Sequence, residues 1–157
     1  MYAPLTGYVL RFNVHTGRFV DVFTSNAKVS DLHRPDGLVF DSDGKLWITS
    51  FRNNADANDV DKILKLDGRT GRLFDKFPLW KPGQTRAYAQ AIFFGPGGKL
   101  YIPITGVPPD MAGQIRRCDP RTNACDVIVQ AGGVLQSPWF LIFRNTDPST
   151  LIYDGQR

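Results

Sequence analysis

A β-hairpin recurs along this chain, and a sequence built from repeated hairpins has few ways to fold. Its clearest copy is residues 35–50. There Leu38-Val39-Phe40 and Leu46-Trp47-Ile48 are short apolar runs rich in β-branched and aromatic residues. Asp41-Ser42-Asp43-Gly44 joins them with turn formers and a glycine free to take positive φ. Both runs are apolar at successive positions rather than at alternate ones, which predicts strands covered on both faces.

The design returns over residues 90–105, where Lys99-Leu100-Tyr101 copies Lys45-Leu46-Trp47. A looser copy runs from Pro138 to Phe143 and resumes at Leu151-Ile152-Tyr153. Between these lies a second kind of hairpin, with runs 8–13 and 18–23 around Val14-His15-Thr16-Gly17. It recurs as runs 62–67 and 72–77 around Gly68-Arg69-Thr70-Gly71, and as runs 114–119 and 124–129 around Pro120-Arg121-Thr122-Asn123.

With the first hairpin lettered A-B and the second C-D, the chain reads CD, ABCD, ABCD, AB. The repeats span about 7–34, 35–88, 89–137 and 138–157 of a single domain. Four strands in roughly 50 residues is the signature of a β-propeller, whose blades number about four to eight. Three blades' worth of strands cannot close a ring, and an open arc leaves apolar faces at both ends. The chain starts at strand C and stops just after strand B, so one copy can begin where another ends. This predicts a two-fold homodimer forming a six-bladed ring by strand exchange. The alternative is a part of a longer propeller.

Composition agrees with an all-β domain. All 15 acidic residues are aspartate, and without glutamate or alanine runs the chain is poor helix material. Of its 157 residues 42% are hydrophobic and 22% charged, an ordinary globular balance. No apolar run approaches the ~20 residues of a membrane span, and the first residues lack the basic and apolar blocks of a signal peptide, though a processed start stays open. A net charge of +4 comes from scattered basic residues, which argues against a nucleic-acid partner.

Cys118 and Cys125 take the places of Leu66 and Leu73 one repeat earlier, and of Phe12 and Phe19 before that. Residues at these places face each other across a hairpin, so the two sulfurs should lie within disulfide reach. A disulfide here would imply an extracellular or other oxidising compartment; the alternative is two small buried hydrophobes.

The run from Arg34 to Ser50, followed by residues 62–73, resembles the NHL-type and gluconolactonase-like six-bladed propellers, including the streptogramin lyase branch. Members of that superfamily bind proteins, RNA or small ligands, and some use a divalent ion in the central channel to open lactones or cleave esters. The resemblance therefore implies a binding fold and leaves activity open. Those enzymes place a glutamate among the metal ligands and often use a histidine. This chain has no glutamate and only His15 and His33, so no catalytic set carries over.

In such a fold the D-to-A and B-to-C loops share one face. That face would hold His33, Arg34 and Asp36 from the first D-to-A loop, Arg86, Tyr88 and Gln90 from the second, and Gln136 with Trp139 from the third. His33 beside Asp36 could pair imidazole with carboxylate, although such residues more often cap a loop. Residues 53–61 space oxygens as a calcium loop does, without the glycine and terminal glutamate of an EF-hand. Asp36 and Asn54 are the conceivable ligands for Ca²⁺ or Mg²⁺. Arg11, Lys65 and Arg117 share one position of strand C, as a phosphate band or as charges guarding a sheet edge. The sequence thus favours a non-catalytic binding or assembly module, self-associating and open to a small-molecule or protein ligand, over a metal-dependent lactonase or lyase.

Overall fold

The computed structural model describes residues 7–80, 86–106, 113–132 and 134–143. It is all-β, with eleven strands, one 3-10 turn at Pro96–Gly98, and no α-helix among the described residues. The strands form three antiparallel sheets in chain order. β1 (Tyr8–Phe12) pairs with β2 (Phe19–Ser25) as the first. The second is a four-stranded meander of β3 (Leu38–Phe40), β4 (Lys45–Ser50), β5 (Lys62–Asp67) and β6 (Leu73–Pro78). The third holds β7 (Tyr88–Ala89) and β8 (Phe93–Gly95), both paired with β9 (Lys99–Thr105), then β10 (Gln114–Cys118) and β11 (Cys125–Val129).

The three turns of the C-D type share one pattern of local bonding. In each C-D hairpin the first turn residue bonds across the turn twice. Asn13 N–H donates to Arg18 O and the Asn13 carbonyl oxygen accepts from Gly17 N–H, as Asp67 does with Arg72 and Gly71, and Asp119 with Ala124 and Asn123. The side-chain oxygen then takes up loop amides: Asn13 Oδ1 accepts from His15 and Thr16, and Asp67 Oδ1 from Arg69 and Thr70. The turn closes on a residue with φ of 66° at Gly17, 69° at Gly71 and 58° at Asn123, a conformation that glycine and asparagine adopt readily.

The two central strands of the middle sheet, β4 and β5, are buried on both faces, as the uninterrupted run Leu46-Trp47-Ile48 predicts. The run Leu38-Val39-Phe40 is not covered in the same way, because β3 lies at the edge of the sheet with Leu38 and Phe40 exposed. Side chains alternate along a strand, so Leu46, Ile48, Leu64 and Leu66 face one way and Trp47 and Ile63 the other. The first group packs with Phe23, Val29 and Leu32 of the first sheet and its following loop. The second packs with Phe77, Leu79 and Trp80, and with Ala89, Leu100, Ile102 and Ile104 of the third sheet. Each fully buried aliphatic side chain is worth about 1.5–3 kcal/mol relative to exposure, so these two layers bind the three sheets into one stack.

Where the two A-B hairpins differ, the packing explains it. Asp41 Oδ1 accepts from Asp43 N and Lys45 N, and its Oδ2 accepts from the Trp47 indole Nε1 at 2.8 Å. In the next copy Tyr101 replaces the tryptophan and its hydroxyl donates to the Pro96 carbonyl at 3.4 Å, while Gly95 replaces the aspartate. A Cβ on Gly95 would meet the Phe143 ring at 2.5 Å, so the missing side chain makes room for a ring that stands 4.6 Å from Tyr101, centroid to centroid. Strand A of this copy is also split. β7 and β8 each pair with β9, and residues 90–92 leave the ladder between them. Residues 138–143, expected as a third strand A, form no strand but lie on the outer face of the third sheet, with Phe140 edge-on to Phe93. Residues 151–153, their expected strand-B partner, lie outside the described residues.

Cα pairing joins Phe12 to Phe19, Leu66 to Leu73 and Cys118 to Cys125, the register expected from the repeat. Cys118 and Cys125 are disulfide-bonded, with Cα atoms 4.0 Å apart. Titration of the unfolded chain should find no free thiol before reduction and two after it. Reduction should lower stability by about 2 kcal/mol in chemical denaturation, the lower end for a bond that closes so short a loop.

Candidate functional site

At the end of the middle sheet marked by Ser50, Lys62 and Pro78, the loops before β3, after β4 and before β7 come together. Four side chains, three from these loops and one from the start of β7, form a ladder. The Arg34 guanidinium lies over the Phe51 ring at 5.1 Å, Phe51 stands 5.7 Å from Tyr88, and the Arg86 guanidinium covers Tyr88 at 4.1 Å. Cations over ring faces are held by the ring quadrupole, more strongly where water is displaced.

The rung at Arg86 is fully engaged. Its Nη2 and Nε donate to the two oxygens of Asp61 at 2.6 and 3.1 Å, and its Nη1 donates to the Tyr88 hydroxyl at 2.5 Å. Asp61 is only 1% exposed and also accepts from Trp80 Nε1 and from the backbone N–H of Arg52, both at 2.9 Å. A buried carboxylate needs this many donors, because desolvation otherwise disfavours its charge.

A second charged group stands beside the first. Lys62, 3% exposed, places its Nζ 2.5 Å from Asp59 and 3.8 Å from Asp31, and Asp31 also takes Lys76 at 2.7 Å. Burial pushes the Asp59 carboxyl up, but the Asn53 amide and the Lys62 ammonium outweigh it and hold the group below the usual carboxylate range.

Of the residues singled out in the sequence, Arg34, Arg86 and Tyr88 meet in the ladder. His33 lies against the same loops: its backbone N–H donates to Ser50 Oγ at 2.9 Å, and its Nδ1 sits 3.4 Å from Asn26 Nδ2. Asp36 is exposed and Gln90 half-buried, and no described contact draws either into the ladder. Gln136 and Trp139 flank Pro138 beside the third sheet, where the Pro138 carbonyl accepts from Thr105 Oγ1 at 2.9 Å.

Side-chain oxygens of residues 53–61 are already engaged, those of Asp59 by Lys62, of Asp61 by Arg86 and Trp80, and of Asn53, Asn54 and Asp56 close by in the chain. Asn54 Oδ1 accepts from Arg52 Nε at 3.3 Å, Asn53 Oδ1 from Ala55 N, and Asp56 Oδ1 from Asn58 N. Among the described residues no three of His, Cys, Asp or Glu stand close enough to hold a metal ion. The strand-C cations are cross-strand partners: Arg11 meets Asp21 at 2.5 Å, Arg117 meets Asp126 at 2.6 Å, and Lys65 lies over Trp47 at 4.5 Å. Sequence reasoning missed Phe51, Trp80 and the role of Asp61. The one signal was an aromatic directly after strand B, where the ladder needs a flat surface.

No family model, curated protein or solved structure matches the chain.

Replacing Arg86 with alanine leaves Asp61 buried without its cation and should cost about 3–5 kcal/mol in chemical denaturation. Arg86→Lys keeps the charge but not the fork, and should cost less.

Proposed function

We propose that this chain is a non-catalytic binding and assembly module: half of a six-bladed propeller, completed by a second copy, with the ladder on its loop face. The observation that carries the reading is the unfinished first sheet. The middle sheet holds four strands in sequence, whereas among the described residues the first holds β1 and β2 alone. By the order of the repeat β1 is a strand C, and the edge it turns away from β2 is where a strand B belongs.

Beside that edge runs a cleft of about 290 Å³ lined by Val9, Leu10, Phe23, Leu38, Phe40 and Leu46. Phe40 is 59% exposed and Leu38 46% exposed, although both lie on the central sheet. An added A-B hairpin would bond to β1 and cover these side chains together, joining backbone pairing to apolar burial as strand addition does. The outer face of the first sheet also exposes Tyr8, Leu10, Phe12, Phe19 and Val22. Contiguous exposed apolar surface of this kind marks interaction sites on soluble proteins. The second copy supplies what fits both features, since residues 138–157 repeat the A-B pattern at the opposite end of the chain.

Sedimentation equilibrium at micromolar concentration should give twice the chain mass. Phe40→Asp, which places a charge in the cleft at an exposed position, should give the single-chain mass with an unchanged circular dichroism spectrum. A single-chain mass for the unaltered protein would overturn the proposal.

A further inference from the structure

Arg34 differs from the other half-buried arginine of the ladder. Arg86 has a carboxylate, a hydroxyl and a ring. Arg34 has the Phe51 ring and one weak bond, from Nη2 to the Arg52 carbonyl at 3.4 Å. Its Nε is buried and donates to nothing, and no carboxylate among the described residues pairs with it. A guanidinium is always charged, and withdrawing one from water without an anion is unfavourable. Its backbone is strained as well: φ is +47°, a region that residues other than glycine, asparagine and aspartate seldom occupy. Strain of this kind persists where the surroundings hold a residue in place, and it clusters at ligand sites.

A second cation follows in the adjoining loop, while Asp36, two residues after Arg34, is exposed and makes no described contact with it. Arg52 follows Phe51, and its Nε reaches only the Asn54 amide oxygen at 3.3 Å, in an exposed bond. Asp61, the nearest carboxylate of the ladder, is already committed to Arg86 and Trp80. Phe51 and Tyr88, with ring planes inclined at 51°, put aromatic surface under the Arg34 and Arg86 guanidiniums.

We propose that Arg34, backed by Phe51 and flanked by Arg52, is the binding site for an oxyanion group, a phosphate or carboxylate carried by a small ligand. The planar fork of a guanidinium matches the oxygens of either group with two parallel bonds. The Nε proton would make one of these, after a small rotation of the side chain opens it to the ligand. The site deepens the loop-face part of the preceding reading but is built from one chain, so it does not depend on self-association.

The probes are inorganic phosphate and acetate, added to the full chain at constant ionic strength and followed at the arginine Nε–H resonances. The Arg34 signal, identified by its loss in Arg34→Lys, should shift saturably with at least one probe and not with chloride. Which probe acts separates phosphate from carboxylate ligands. Arg34→Asn suits the positive φ and should keep the fold, while abolishing the rise in melting temperature that the active probe gives the unaltered chain. Arg34→Lys should weaken that probe about tenfold, as expected for the loss of one charge-assisted bond. Equal shifts with chloride, no shift with either probe, or stabilisation that survives in Arg34→Asn would overturn the proposal. Any of these would leave the mass measurement, and the assembly reading, untouched.

Discussion

Everything in this structure depends on two strands, β4 and β5 at the centre of the middle sheet, with no face to give to water. Leu46, Ile48, Leu64 and Leu66 point one way and Trp47 and Ile63 the other, and all are buried. A sheet of that composition is stable only between two others, so the hairpins before and after it in the chain are drawn onto its two faces. The loops joining the sheets are thereby gathered at one end, and loops gathered there bring Arg34, Phe51, Arg86 and Tyr88 within reach of one another. The ladder follows from the stacking.

The same constraint leaves a remainder. Stacking covers the inner faces of the first and third sheets and does nothing for the outer ones. The third sheet is partly served by its own chain, where Phe140 and Phe143 lie against Phe93 and Tyr101. The first sheet exposes Tyr8, Leu10, Phe12 and Phe19, and no described strand pairs with the edge of β1 turned away from β2. An unpaired strand edge invites another strand. The proposed second copy answers this without new chemistry, because the pattern it would contribute is already written at residues 138–157.

Much of this was legible in the sequence because turns and strand periodicity are local. Glycine or asparagine at positions 17, 71 and 123 marks three equivalent turns, and the register they impose put Cys118 opposite Cys125. The split of strand A at residues 90–92 was not legible, since it depends on β9 accepting two short strands. The fate of residues 138–143 was hidden for a similar reason: an apolar run does not say whether it will pair as a strand or cover a face. At the site, Arg34, Arg86 and Tyr88 could be named from loop position alone. Asp61 could not, because in sequence it looks like one more oxygen of a calcium-like loop. Only the folded chain brings it to Trp80 and Arg86, residues that follow it at a distance.

Hydrogen exchange along β1 tests the central claim most directly. If the first sheet is the unfinished part of a stack that a second copy completes, the Tyr8–Phe12 amides turned away from β2 will exchange slowly in concentrated protein. They will lose that protection on dilution, while the amides between β4 and β5 stay protected throughout. Exchange of those β1 amides at the unprotected rate at every concentration, beside a protected middle sheet, would contradict it.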